Sequence, residues 1–225
     1  MPKKADTALT FLFLAISAVL YYFILTSSGT LLIATEYSAI VLCFLFALLH
    51  LKNKRWFILG GLAFTLGADF CLVVCSPIQQ LWGMVFFLGA QSLYAAMLHK
   101  SCKSKAFLWI RLGLTAAAIA ITVLVLKDKT DPLALVSICY YINLIFNIIM
   151  AFAQFKTYKL FAIGLIFFLL CDTVIGLQVA AGGYLPIAEG SLLHSIIFAP
   201  FHLSWMFYLP SQVLISLSST KKHLN

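Results

Sequence analysis

The feature that most constrains this chain is a series of apolar stretches, each long enough to cross a lipid bilayer. A membrane-spanning helix needs about 20 mainly apolar residues. By that measure the 225-residue chain has eight predicted spans, at about residues 8–26, 31–51, 56–76, 80–98, 106–126, 132–155, 159–181 and 193–217. The apolar runs are continuous, whereas the strands of a membrane β-barrel alternate. The sequence therefore predicts an all-α polytopic membrane helix bundle that forms one transmembrane domain over residues 1–225.

Composition excludes a soluble protein. The chain is 63% hydrophobic and 10% charged, whereas soluble domains have about 25% charged residues. A soluble core of this length could not bury so much apolar surface. The six cysteines are scattered and form no C-x-x-C pair, so neither a disulfide framework nor a zinc site is indicated.

The basic residues indicate how the spans are oriented. Twelve of the 15 Lys and Arg residues lie near the two termini or in the loops after the second, fourth and sixth spans. The opposite loops hold only Lys127 and Lys129, and Arg111 lies inside the start of the fifth span. By the positive-inside rule both termini are cytoplasmic. Lys3 and Lys4 precede the first apolar stretch, but no small-residue cleavage site follows, so we expect a retained first helix.

Two segments repeat one pattern and place an acid inside an apolar span. Residues Gly61–Asp69 and Gly164–Asp172 both read G-L-x-F-x-L-x-x-D. A carboxylate at bilayer depth costs roughly 2.5–3.5 kcal/mol, which makes each aspartate a functional hypothesis. Each lies 13 residues after the predicted start of its span, and so about 20 Å from the cytoplasmic helix end. We therefore predict that Asp69 and Asp172 face one cavity; the alternative is that each hydrogen-bonds a neighbouring helix.

The repeat also bears on architecture. An offset of 103 residues maps the third span onto the seventh in the same direction through the membrane. This favours two four-helix halves in parallel orientation, a layout known among transporters. Convergent use of one packing solution explains the likeness equally well.

Other polar side chains within the spans are candidates for the same site. They are Glu36, Gln91, Tyr94, Tyr140, Asn143, His202 and Gln212. The alternative for most of them is interhelical hydrogen bonding, which in membranes is worth about 0.6–2 kcal/mol. For Glu36 it is a position at headgroup level. No pattern of metal ligands and no phosphate-binding or nucleic-acid motif is present, so we predict no metal, no cofactor and no nucleic-acid partner.

Several blocks along the chain match the pattern of one family of membrane proteins. The blocks are Gly61–Asp69, Gly83-x-x-Phe86, Gln91-x-x-Tyr94, Gly164–Asp172 and Gln212-x-Leu214-Ile215. On these blocks the sequence resembles the YhhN family of eight-span membrane proteins, the lysoplasmalogenases. It departs from the usual pattern at Gln91, where relatives have His, and in the second span, where relatives carry a Lys-Pro pair.

The resemblance implies hydrolysis of the vinyl ether bond of lysoplasmalogen, a 1-alkenyl-glycero-3-phosphoethanolamine or -choline, to an aldehyde and the glycerophospho headgroup. It implies that Asp69 and Asp172 are the catalytic acid and base, and that the other polar residues named above bind substrate. Such a reaction needs one protonated and one ionised carboxyl group, as in glycoside hydrolysis. The implied partners are the lysophospholipid and the surrounding lipids, in the cell membrane by default.

Two further hypotheses remain open at this point. The first is a transporter or channel whose paired aspartates bind a proton, a cation or an amine. The second is an inactive homologue that binds lipid without cleaving it, to which the departures from the family pattern point. The sequence does not predict an oligomeric state.

Overall fold

The structure, a computed structural model, describes residues 3–50, 56–102, 105–127, 130–183, 188, 190–191, 194–195 and 202–220. Its helices are α1 (Lys3–Thr26), α2 (Gly29–Leu49), α3 (Trp56–Asp69), α4 (Gln80–Ser101), α5 (Ala106–Leu126), α6 (Pro132–Ala153), α7 (Phe155–Gly183) and α8 (Leu203–Leu217). A π-helical turn, Phe70–Val74, follows α3, and a 3-10 turn, Ser218–Thr220, follows α8. The described residues contain no strand.

Seven of these helices, α1 to α7, are long and apolar enough to cross a membrane. The described part of α8 has 15 residues, and much of the predicted span before it, at 192–193 and 196–201, lies outside the described residues. The prediction of an all-helical membrane protein is confirmed for the described residues.

The helix bounds differ from the predicted spans at two informative places. The third span is not one α-helix to residue 76, because α3 gives way to the π-helical turn directly after Asp69. There the Cys75 N–H donates to the Phe70 carbonyl at 3.0 Å, and Pro77 cannot continue a helical hydrogen-bond ladder. In α7 the backbone leaves helical geometry at Tyr158 (φ −115°, ψ 28°), so regular helix follows from about the predicted start at 159.

The residues at the start of α6 explain why the helix begins there. Pro132 is the first helical residue, and the Asp131 side chain accepts a hydrogen bond from the Ala134 N–H at 2.7 Å. This is the arrangement expected when an N-cap carboxylate precedes a proline, whose missing N–H would have no partner in the first turn anyway.

Six helices pack in sequence around the centre of the bundle. The packed pairs are α2 with α3, α3 with α4, α4 with α6, α6 with α7, α7 with α8, and α8 with α2. Helix α1 lies outside against α2 and α8, and α5 lies outside, mainly against α6. The outer helices expose large apolar side chains, such as Phe11 and Trp109, as expected for surfaces that face lipid chains.

One glycine in each repeated segment lies at a close contact between helices. A Cβ at Gly61 in α3 would lie 2.1 Å from the ring of Tyr94 in α4. A Cβ at Gly164 in α7 would lie 2.9 Å from Ile215 and 3.1 Å from the Ser211 carbonyl oxygen in α8. These two positions correspond in the repeat, and small residues at such points let helix backbones approach closely.

Candidate active site

The first repeated aspartate lies where regular helix ends. Asp69 is the last residue of α3 and is 3% exposed. The Tyr208 hydroxyl, from α8, donates a hydrogen bond of 2.6 Å to Asp69 Oδ2. A π-helical turn follows Asp69 directly, and such turns occur frequently at functional sites. The fold therefore places this carboxyl group at the centre of the bundle, held by a phenol from a distant helix.

The second repeated aspartate has a comparable partner from a different helix. The Tyr140 hydroxyl, from α6, donates a hydrogen bond to Asp172 Oδ2 in α7. The hydroxyl groups of Tyr141 and the neighbouring Thr173 are hydrogen-bonded to each other at 2.9 Å. Asp172 is partly exposed, in contrast to Asp69. Each predicted acid is thus paired with one tyrosine.

Two phenylalanine rings lie between the tyrosines of the two pairs. Phe168 lies 5.6 Å from Tyr208 and 6.4 Å from Tyr140 between ring centroids. Phe87 lies 5.9 Å from Tyr140, 6.4 Å from Tyr208 and 5.5 Å from Phe168. Asp69 also interacts electrostatically with Asp172. The structure therefore brings both carboxyl groups to one aromatic-lined centre.

Glu36 adds a third acid to this centre. It is 7% exposed in α2, and it interacts electrostatically with Asp69. The ring centroid of the next residue, Tyr37, lies 6.1 Å from that of Phe70 in the π-helical turn. Glu36 is therefore buried in the bundle close to Asp69.

Gln91 and Asn143 belong to a second polar group on α4, α5 and α6. The Asn147 amide donates to the Gln91 backbone carbonyl and side-chain oxygen at 2.8 and 2.9 Å. The Arg111 guanidinium donates to Asn143 Oδ1 at 3.3 Å and to Asn147 Oδ1 at 2.9 Å. On α6, Asn143 and Asn147 lie one and two turns beyond Tyr140 on the same face. This group therefore lies next to the acid pair but at a different depth.

The remaining predicted site residues are spread over the bundle. Tyr94 is fully buried against Gly61, about two helical turns from Asp69. Gln212 is fully buried one turn beyond Tyr208 on α8, and neither of its side-chain amide atoms has a hydrogen-bond partner within the described part of the chain. His202 is half-buried just before α8 begins.

Tyr208 is the residue of the site that sequence reasoning missed. Its contact with Asp69 joins residues 139 positions apart, so no local pattern reveals it. The available signal was its spacing of four residues from Gln212, which places both side chains on one face of α8.

The described residues offer no metal centre. No group of three or more His, Cys, Asp or Glu side chains among them could hold a metal ion. The six cysteines, all within the described part of the chain, are free thiols.

Comparison with known proteins gives one match. The YhhN family matches residues 32–219, which cover most of the chain and include both aspartate–tyrosine pairs. Neither a curated protein nor a solved structure matches the chain. The sequence resemblance is thus confirmed, and the chain belongs to the YhhN family.

Proposed function

We propose that this protein is an intramembrane hydrolase that cleaves the vinyl ether bond of lysoplasmalogen, the activity implied by its resemblance to the lysoplasmalogenases. The observation that carries the proposal is the pair of carboxyl groups, Asp69 and Asp172, each held by a tyrosine hydroxyl around one aromatic cluster. Vinyl ether hydrolysis is an acid–base reaction that such a pair can perform without a metal or cofactor.

Hydrolysis of the vinyl ether needs only two carboxyl groups and one water molecule. A protonated carboxyl group donates its proton to the β-carbon of the vinyl ether, and the double-bond electrons form the new C–H bond. The resulting oxocarbenium ion is stabilised by the second, ionised carboxylate. Water then attacks the cationic carbon and loses a proton to a carboxylate. The hemiacetal that forms breaks its C–O bond to give the aldehyde and the free glycerol hydroxyl of the headgroup.

Buried polar groups near Asp69 supply a place for the attacking water. Gln212 lies one turn after Tyr208, whose hydroxyl donates to Asp69. Both side-chain amide atoms of Gln212 are buried and have no hydrogen-bond partner among the described residues. Buried polar groups of this kind are normally satisfied by ordered water. Gln212 is therefore a water-binding residue in this proposal, and Glu36 stands beside the same acid.

The test is aldehyde release from purified protein. Wild type is incubated with 1-alkenyl-glycero-3-phosphoethanolamine, and the aldehyde is measured by NADH oxidation with alcohol dehydrogenase. Asp69→Asn and Asp172→Asn should each lower kcat about 10²- to 10⁴-fold, the usual contribution of a general acid or base. Asp6→Asn is the matched control, because Asp6 is a half-exposed carboxylate at the start of α1.

The outcomes of this experiment distinguish the activity, the mechanism and an effect on folding. Absence of aldehyde from wild type refutes the hydrolase and leaves the transporter and the inactive lipid-binding homologue. Full activity in both Asp69→Asn and Asp172→Asn would refute the proposed mechanism but not the hydrolase activity. Loss in Asp6→Asn as large as in the core variants would show that the assay reports folding rather than chemistry.

A transporter is the second candidate, favoured by one observation. In each repeated segment the first glycine contacts the next helix along the chain: Gly61 of α3 meets Tyr94 of α4, and Gly164 of α7 meets Ile215 of α8. This supports two parallel four-helix halves, as in some transporters. Proton- or cation-dependent flux in proteoliposomes, lost in Asp172→Asn and without aldehyde release, would favour this candidate over the hydrolase.

We also propose that the chain forms one transmembrane domain in the cell membrane with eight spans and both termini cytoplasmic. The distribution of basic residues supports this orientation. Fusion of alkaline phosphatase or green fluorescent protein to the C-terminus tests it. A fusion that is fluorescent and lacks phosphatase activity is expected; the reverse would overturn the orientation.

A further inference from the structure

Among the residues of α5 whose burial the structure describes, one is buried, and it is an arginine. The helix lies outside the bundle and packs mainly on α6, and side chains such as Trp109 and Leu124 are about 70% exposed. Among the α5 residues whose burial is described, Arg111 alone is buried, at 5% exposure. Ionisable residues inside membrane spans are rare and mark functional sites by default.

The surroundings of Arg111 are polar but neutral. Its guanidinium donates to Asn143 and Asn147, contacts the Met150 sulfur at 3.7 Å and lies 5.5 Å from the centre of the Phe146 ring. Within the part of the chain that the structure describes, no carboxylate forms an ion pair with Arg111. A buried cation is costly unless an opposite charge accompanies it.

Several buried side-chain nitrogens around Arg111 have no hydrogen-bond partner among the described residues. They are Arg111 Nε and Gln91 Nε2, which are donors, and His99 Nε2, which is a donor in the tautomer that carries its proton there. His99 interacts electrostatically with Arg111, and Gln91 is joined to Arg111 through Asn147. A cluster of spare donors around a positive charge fits an anion with several acceptor oxygens, and arginine is the side chain best suited to phosphate.

The position of this cluster relative to the acids also fits a lysophospholipid. Tyr140, which bonds Asp172, and Asn147, which bonds Arg111, lie on one face of α6. They are seven residues apart, or about 10 Å along the helix axis. A glycerol backbone with its ether linkage can span this distance between phosphate and vinyl ether.

We propose that Arg111, with His99, binds the phosphate of the lysolipid headgroup and so sets the vinyl ether at the acid pair. This inference rests on the proposed function, and it adds a residue that determines specificity. It assigns the headgroup to the end of the bundle where α4 ends and α5 begins, and the alkenyl chain to the opposite direction.

The kinetic test compares a substrate that carries the phosphate with one that lacks the headgroup. Lysoplasmenylethanolamine carries the phosphate and its ethanolamine, and 1-alkenylglycerol lacks both. Arg111→Gln should raise KM for the phosphate-bearing substrate about 10- to 100-fold, the range for a lost charge-assisted hydrogen bond. The kcat of Arg111→Gln for the phosphate-bearing substrate should stay within about twofold of wild type. So should the KM and kcat of this variant for 1-alkenylglycerol. Arg111→Lys should fall between, because lysine keeps the charge and loses the planar fork.

The matched control is Lys105→Gln, which removes an exposed cation at the same end of α5 and should change neither substrate's constants. Equal losses on both substrates in Arg111→Gln would show that Arg111 only anchors α5. An unchanged KM for the phosphate-bearing substrate would likewise overturn the proposal.

A binding measurement separates this proposal from the catalytic one. Thermal stabilisation of the purified protein is measured with 1-alkyl-glycero-3-phosphoethanolamine, with 1-alkylglycerol and with inorganic phosphate. The phosphate-bearing lipid alone should stabilise wild type strongly, and the effect should disappear in Arg111→Gln and partly return in Arg111→Lys. Equal stabilisation by both lipids refutes a phosphate site, whether or not wild type releases aldehyde. Stabilisation by inorganic phosphate alone assigns the site to a free anion and refutes the lipid proposal.

Discussion

The approach of α3 to α4 at Gly61 gives a prediction whose size follows from the structure. A Cβ at this position would lie 2.1 Å from Cε1 and 2.4 Å from Cζ of Tyr94, far inside the optimum of about 3.5–4.0 Å between carbon atoms. Tyr94 is 0% exposed, so its ring has no open space to enter. We expect Gly61→Ala to lower the free energy of unfolding by about 1–3 kcal/mol, the usual cost of overpacking a core.

Two other helical glycines are matched controls. A Cβ at Gly113 in α5 or at Gly176 in α7 would meet no atom within 4 Å. Alanine is a better helix former than glycine by about 0.8–1.0 kcal/mol, so these substitutions should leave stability unchanged or slightly raised. The assay is thermal unfolding of the detergent-solubilised protein, with all variants prepared in the same detergent.

A double-mutant cycle tests the reason for the loss. When Tyr94 is also changed to alanine, the added methyl group enters the space that the ring leaves, so Gly61→Ala should then be neutral or stabilising. A loss of the same size in both backgrounds would refute the steric explanation. So would a Gly61→Ala variant that is as stable as Gly113→Ala.

Three further predictions concern other contacts. Tyr208→Phe and Tyr140→Phe each remove a hydroxyl that donates to an aspartate; each should lower kcat for aldehyde release about 10- to 150-fold, the equivalent of one hydrogen bond to a charged group. Asp131→Ala removes the cap of α6 and should cost about 1 kcal/mol in thermal unfolding, with activity retained. His50→Ala removes ring contacts at 2.8 Å to a backbone carbonyl and to Asp6; it should destabilise more than Asp6→Ala, which loses only a half-exposed ion pair worth under about 1 kcal/mol.

The membrane class and most helices could be predicted because hydropathy acts locally. A bilayer leaves no water for exposed backbone groups, so each apolar run of sufficient length must satisfy its own hydrogen bonds as a helix. The fifth span, predicted at 106–126, has those bounds in the structure. The N-cap at Asp131 also needs only four consecutive residues to be recognised.

Tertiary partners could not be predicted, because they depend on which helices become neighbours. Periodicity places Tyr208 and Gln212 on one face of α8 but does not say that α8 lies next to α3. Arg111 was interpreted only as a basic residue near a span end, although its side chain reaches the amides of α6. The π-helical turn after Asp69 could not be predicted either, because the apolar run continues through it without a break.

The two halves of the site share a sequence pattern but not their surroundings, and this difference suits acid–base chemistry. Tyr140 in the second half corresponds to Tyr37 in the first at the offset of the repeat, yet Asp172 is bonded by Tyr140 while Asp69 is bonded by Tyr208 of α8. Asp69 is buried with Glu36 nearby, whereas Asp172 is partly exposed. Carboxyl groups in unequal environments can hold different protonation states, which a paired acid and base require. In the proposed mechanism the shared pattern supplies two aspartates, and their unequal surroundings would let them divide the reaction between them.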